Sequence, residues 1–239
     1  YTISEKSIVL LTSLFMFASG PISMSVWEKE GVAKSQEFLT KLTRYYLIIC
    51  LPIVVGLSVL ARPVVELLTA PAYYEGFRIV PLVALGGFFL GLQHRFQSGL
   101  KYYKKTHLIM VSIVASGLLN LGLNVFLIPK YGYIAAAATT LVSYVFLVVM
   151  MVVMSRKYFV WKFPFRSLGN TVCASVVMIV AIYPISNSLT SSTLINLVAG
   201  ICIGVVVYFL MLFFLREPQK EEIQAMGELG SRIVRRISR

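Results

Sequence analysis

The sequence predicts an all-α, polytopic membrane helix bundle of seven transmembrane helices, followed by a C-terminal amphipathic helix. Three observations carry that expectation. The chain is too apolar for a soluble core, its apolar residues fall into seven blocks of bilayer length, and its cations crowd every second connection. Of 239 residues, 58 % are hydrophobic, and mean hydropathy is +0.81. Soluble domains lie near about 45–50 % apolar, because they need a polar surface. Hydrocarbon is therefore the implied solvent. Net charge is +12, from 22 Lys and Arg against 10 acids. In a soluble protein that balance would suggest nucleic acid. Here the cations lie between apolar blocks, as in membrane loops, so no nucleic-acid partner is expected.

A helix needs about 20 mostly apolar residues to cross the hydrocarbon core. The blocks are 3–26, 42–61, 79–100, 107–128, 133–154, 168–185 and 193–215. The first carries Thr12, Met16, Ser19 and Ser23 on one face, with Lys6, Ser13 and Gly20 beside it. Such a face suits helix packing or a cavity wall rather than lipid. Lys6, near the outer end, is placed to attract an anionic headgroup or to sit in water. The second block contains Pro52 and ends at "ARP"; membrane helices tolerate proline where neighbours satisfy the freed backbone. The fourth has Ser112, Ser116, Asn120 and Asn124 at four-residue steps, so two asparagines need partners. It stops at "PKYG", and the fifth opens on the small residues of "YGYIAAAATT". The sixth follows "KFPF" and the seventh ends at "REP". Residues 1–215 thus read as a transmembrane unit and 216–239 as a basic cytoplasmic tail. In that tail Ile223, Met226, Leu229, Ile233 and Ile237 recur at helical spacing among arginines, the pattern of an interfacial helix.

Seventeen Lys and Arg fall in the connections after blocks one, three and five and in the tail; four fall on the other side. That asymmetry places the C-terminus in the cytoplasm, in a multi-pass protein of the cell membrane. The chain begins at Tyr1, and Glu5 and Lys6 fit no signal-peptide n-region. An N-terminal part of a longer protein is expected to precede it.

The third block departs from the rest. Within "GLQHRFQSGL", Gln93, His94, Arg95 and Gln97 crowd one turn about two turns from the cytoplasmic end. Gln93 and Gln97 share a face, and Arg95 points away with Gly91 and Gly99. No face of this turn suits lipid, so protein or a water-filled cavity must surround it. Two roles fit Arg95: snorkelling toward the interface near Lys101, or a place in a cavity. His94 is a candidate proton carrier, and His107 belongs at the interface.

The sequence holds no aspartate, no nucleotide-binding or hydrolase motif and no Cys/His metal cluster. Cys50, Cys173 and Cys202 each lie in an apolar block, so buried thiols are expected. Neither an enzyme nor a cofactor is expected.

The stretch Leu119–Phe146, "LNLGLNVFLIPKYGYIAAAATTLVSYVF", resembles the C-terminal half of bacterial and archaeal oligosaccharide flippases. These belong to the multidrug/oligosaccharidyl-lipid/polysaccharide exporter superfamily. Asn120, Asn124, Ile128, Pro129, Tyr131, Gly132, Ala136, Ala137, Thr139 and Ser143 fit the family pattern; Ala135 stands where glycine is usual. "LPIVVGLSVLARPVVELL" and "GLKYYKKTHLI" look alike too. The resemblance implies two lobes around a central cavity, of which this chain would be the second, its N-terminal lobe being the partner. It implies flipping of a polyprenyl-linked oligosaccharide by alternating access. In the family, basic cavity residues hold the (pyro)phosphate; Lys6 and Arg95 are the basic residues here open to that role, with Gln93, Gln97, His94, Asn120 and Asn124 as polar company. A multidrug exporter, a cell-wall lipid-precursor flippase and a non-transporting scaffold are the alternatives.

Overall fold

A computed structural model describes the backbone of residues 2–188 and 193–217, and the side chains of residues 20–184 and 194–217. The elements are α1 (Thr2–Val59), α2 (Ala61–Leu68), a 3-10 turn (Pro71–Ile79), α3 (Val80–Tyr102), α4 (Thr106–Arg156), α5 (Phe165–Ser188) and α6 (Thr193–Phe214). Beyond Glu217 the expected tail helix lies outside the described residues, as do the side chains of Lys6, Thr12, Ser13, Met16 and Ser19.

The expected count of seven transmembrane helices is corrected. Among the described residues there are six α-helices, and five segments are long and apolar enough to cross a membrane: Gly20–Val59, Pro71–Tyr102, Thr106–Arg156, Phe165–Pro184 and Leu194–Phe214. The reason lies in two connections expected to be loops. Blocks 3–26 and 42–61 share α1, and blocks 107–128 and 133–154 share α4, because helical structure runs on between them. It is interrupted only at Gly31 (φ 81°, ψ −168°) and Gly132 (φ 62°, ψ −145°). Glycine reaches such positive φ without the clash a Cβ brings. At Gly132 the element doubles back. Ser116 Oγ donates to the Ser143 carbonyl at 2.7 Å, whereas a straight helix would hold these residues about 40 Å apart.

The elements pack in a row, α4–α3–α1–α5–α6. Tyr46, Leu47, Cys50 and Val54 of α1 meet Ala84, Phe88 and Leu92 of α3. Leu100 of α3 packs with Ile109, Leu147 and Met151 of α4. Ala174, Met178 and Ile182 of α5 pack with Leu197, Tyr208 and Leu212 of α6. The α3 seam is tight at Gly99, where a Cβ would stand 2.7 Å from Phe159 Cβ and 2.8 Å from Ser155 Oγ. The outer faces are greasy: Phe126 is 74 % exposed and Phe214 84 %. Soluble proteins rarely expose so extended an apolar surface, which hydrocarbon solvates well. The molecule is a multi-pass membrane bundle. Cys50 is buried, but Cys173 and Cys202 are exposed, contrary to expectation; they ride on outer faces of α5 and α6, where a thiol behaves as a small apolar group.

The two ends of the bundle differ in charge. At one end Gln36 Nε2 donates to the Val160 carbonyl at 2.6 Å and Thr40 Oγ1 to the Lys162 carbonyl at 2.9 Å. Trp27 stacks on Tyr102 at 4.7 Å, and Ser23 hydrogen-bonds the Tyr102 hydroxyl. These contacts gather segments 27–44, 101–105, 156–170 and 216–217, which hold twelve of the described Lys and Arg. The opposite end, with α2, the 3-10 turn and the α4 bend, holds Arg62, Arg78 and Lys130.

Helices α3 and α6 both stop at the cationic end with the same local device. Lys104 (φ 56°) and Arg216 (φ 52°) are left-handed. The Lys105 amide returns to the Leu100 carbonyl and the Lys104 amide to Lys101; the Glu217 amide returns to Leu212 and the Arg216 amide to Phe213. This is the Schellman arrangement, with a cation where glycine is usual.

Candidate functional site

The polar turn of α3 faces protein on two sides. Phe88, Leu92 and Arg95 follow one stripe toward α1, and Gly86, Gln93, Gln97 and Leu100 another toward α4, with Gly99 set against Ser155 and Phe159. Gln93, Arg95 and Gln97 are buried, and His94 is half-buried. The Arg95 guanidinium does not snorkel out: it is enclosed, with its Cζ 5.4 Å from the centre of the Tyr46 ring. The Tyr46 hydroxyl donates to the Phe88 carbonyl at 2.7 Å, which fixes the ring beneath the cation. His94 Nδ1 lies 3.2 Å from Gln97 Oε1 and 3.2 Å from Gln93 Nε2. Gln93 Oε1 is buried with no partner among the described residues. The turn thus pairs a buried cation with an amide-rich, half-open edge at His94.

Asn120 and Asn124 are elsewhere. Asn124 Nδ2 donates to Asn120 Oδ1 at 2.9 Å, and Thr139 Oγ1 donates to Asn124 Oδ1. Ser143 Oγ donates to the Thr139 carbonyl, and Ser116 Oγ to the Ser143 carbonyl. These bonds tie the two arms of α4 together, as the need of membrane asparagines for partners requires. No hydrogen bond joins them to the turn of α3 among the described residues. The Lys6 side chain lies outside those residues.

Two features had no forecast in the sequence. The first is an apolar groove of about 430 Å³ between α1 and α6, floored by α5. Pro52, Gly56, Gly200 and Gly204 are among its lining, and Leu60 and Ile182 press against Gly200 and Gly204, where a Cβ would stand 3.1 and 2.5 Å from them. Pro52 has no amide to bond the Ile48 carbonyl one turn earlier. The Tyr208 hydroxyl donates to that carbonyl at 2.7 Å. The spacing of a proline and a carbonyl four residues before it signals the orphan, but not the helix that supplies the donor.

The second is a buried ion pair at the cationic end. Arg44 Nε lies 3.0 Å from Glu217 Oε1, both side chains being about 5 % exposed. Arg44 also donates to the Glu217 carbonyl at 2.7 Å, and Asn170 Nδ2 donates to Glu217 Oε2 at 2.6 Å. Burial alone would raise the Glu217 carboxyl; hydrogen bonds from Ser167, Asn170 and Arg44, with the Arg44 charge, outweigh it and hold the carboxyl below its ordinary value.

The fold has a counterpart of known structure. The lipid II flippase MurJ, in an inward closed conformation, matches with a TM-score of 0.70 over 89 % of this chain and 48 % of that one, at 19 % identity. The chain shares its fold with a lipid II flippase. An uncharacterized membrane protein of Methanocaldococcus jannaschii is 28 % identical over 141 residues, which are 57 % of this chain and 28 % of that relative. The chain therefore spans about half of the flippase's length and less of the archaeal relative's. No protein-family model matches it. Of the resemblance expected from the Asn120–Ser143 pattern, these findings bear out a shared fold and a weak match in sequence to another membrane protein.

Proposed function

We propose that the chain forms one lobe of a two-lobed transporter that flips a polyprenyl-linked oligosaccharide across the cytoplasmic membrane by alternating access. The observation that carries the reading is its fold, shared with one half of a lipid II flippase. Residues 1–215 are the lobe, and 216–239 the basic tail on the inner leaflet. An N-terminal lobe of the same protein completes the passage. The cationic end faces the cytoplasm, following the bias of Lys and Arg to that side.

The chemistry of such a substrate explains what the lobe contains. The sugar–phosphate headgroup cannot enter hydrocarbon, and the prenyl tail can remain there. Transport therefore needs polar groups along a wet path and an apolar track beside it, but no bond-breaking machinery. Gln93, His94 and Gln97 offer donors and acceptors to the headgroup, and Arg95 and Lys6 the positive field for its phosphate. Asn120 and Asn124 hold the α4 arms that flank this path. The carbon-lined groove between α1 and α6 suits the tail. A cell-wall lipid precursor is the second substrate reading, favoured by the activity of the structural neighbour.

The test is reconstitution of the full-length protein in proteoliposomes with fluorescent polyprenyl-diphosphate oligosaccharide on one side and lipid II in a parallel set. Time-dependent loss of the label to the other leaflet supports the reading and selects the substrate. His94→Ala is expected to slow flipping about tenfold, the value of one contact to a charged group. Absence of flipping with both substrates, from folded protein, would sink the proposal, and dye efflux in its place would assign drug export.

A further inference from the structure

We propose that the α3–α4 turn and the segment following α4 form a site for the phosphate headgroup of an anionic phospholipid from the surrounding leaflet. The inference requires that the lobe lie in a bilayer, and is independent of whether it transports anything.

These two segments carry four cations: Lys104 and Lys105 on the turn, Arg156 and Lys157 at the end of α4 and just after it. The two segments are held side by side. Tyr103 and Tyr158 rings lie 6.3 Å apart, and Lys105 Nζ stands 5.8 Å from the centre of the Tyr158 ring. Gly99 lets Ser155 and Phe159 approach α3 closely just before the turn. Lys104, Arg156 and Lys157 are exposed, and Lys105 is half-buried. None of the four pairs with a carboxylate among the described residues, although this end of the bundle offers Glu28, Glu30 and Glu37; Glu37 is taken by Lys34 and Lys41. Four like charges held together without a counter-ion repel one another, and an anion relieves that.

Backbone conformation adds a second, independent observation. Lys104 occupies the left-handed position of the α3 cap, φ 56°, where glycine would avoid a cost of about 1 kcal/mol. The chain thus keeps a charged side chain at a position its own geometry disfavours.

The surroundings decide the class of anion. Trp27, 5.3 Å from Tyr103, completes an aromatic group of the kind that sits at headgroup level. Directly beyond the turn, α4 exposes Met110 and Val114, and its returning arm exposes Val153. A phosphate bound at the cations would carry its acyl chains onto that surface. A free phosphate would gain nothing from it.

Native mass spectrometry of the purified full-length protein, titrated with phosphatidylglycerol or phosphatidylcholine, tests the site. The native protein should retain phosphatidylglycerol in preference. Changing Lys104, Lys105, Arg156 and Lys157 together to Gln should weaken that binding by about a hundredfold or more, each lost basic contact being worth about fivefold. Changing Lys29, Lys34, Lys162 and Arg166 to Gln removes the same charge from the same end and should leave the preference intact. Equal binding of the two lipids by the native protein, or an equal loss in both quadruple variants, overturns the proposal. Should the first quadruple variant misfold, Lys104→Gly keeps the cap and removes one cation. It should melt no lower than the native protein and still bind phosphatidylglycerol about fivefold more weakly; unchanged binding overturns the site. Inorganic phosphate competing as well as the lipid would do so too.

Discussion

At the scale of single residues, two buried polar contacts decide how α6 is held. The Tyr208 hydroxyl satisfies the carbonyl that Pro52 orphans. Tyr208→Phe leaves that carbonyl buried against carbon, and is expected to lower stability by about 1–2 kcal/mol in a denaturant titration in micelles. Pro52→Ala in the same background should recover most of it, because the helix then supplies its own donor. Glu217 makes a different prediction, one that depends on pH. Its carboxyl is held below its ordinary value in the folded protein. Its contribution is therefore complete above the unfolded carboxylate range, about pH 4.3, and disappears as pH falls through the lowered value. Glu217→Gln strands Arg44 without its counter-charge, at a cost of about 3–5 kcal/mol at neutral pH. The gap in melting temperature between native and variant protein should narrow as the buffer is acidified below the ordinary carboxylate range and close once the pH lies beneath the lowered value. A gap that persists there would mean that the carboxylate charge is not what Arg44 needs.

Among the elements, the α3–α4 seam is closely fitted at Gly99. Gly99→Ala would drive a Cβ into Phe159 Cβ and Ser155 Oγ, and neither is the free end of a flexible chain. A loss of about 1–3 kcal/mol is expected, read as a lower unfolding midpoint. Apolar blocks and their breakers made the helical regions legible in sequence, since hydrocarbon admits few other backbones. Their partition was less legible. "PKYG" contains a proline and a glycine, yet helix continues to Gly132 and resumes at once; the composition marks a bend, and only the φ of one residue marks its place. The burial of the α3 polar turn was legible too, because four polar residues leave no apolar face. Its partner Tyr46 was not, because a tyrosine in an apolar block carries no sign of which helix it meets. The clamp on Glu217 was hidden for the same reason, joining residues 173 positions apart.

For the whole molecule, the sorting of charge between the two ends gives the orientation test. In a cysteine-free background, Lys34→Cys and Lys162→Cys should react with an impermeant maleimide only from the cytoplasmic side, and Glu75→Cys only from outside. Reaction of all three from one side would remove the proposed orientation. The asymmetry was readable from the sequence as seventeen cations against four, and the fold brings twelve of the described ones to one end. The row of helices also has a mechanical corollary. A proline weakens α1 where the Tyr208 hydroxyl crosses to it, so flexing α1 at that point and spreading the α1–α6 cleft stretch the same bond. The Ile48 carbonyl is consequently a built-in strain gauge: an isotope-edited infrared band from that one amide would report, in real time, whether the cleft is shut or ajar.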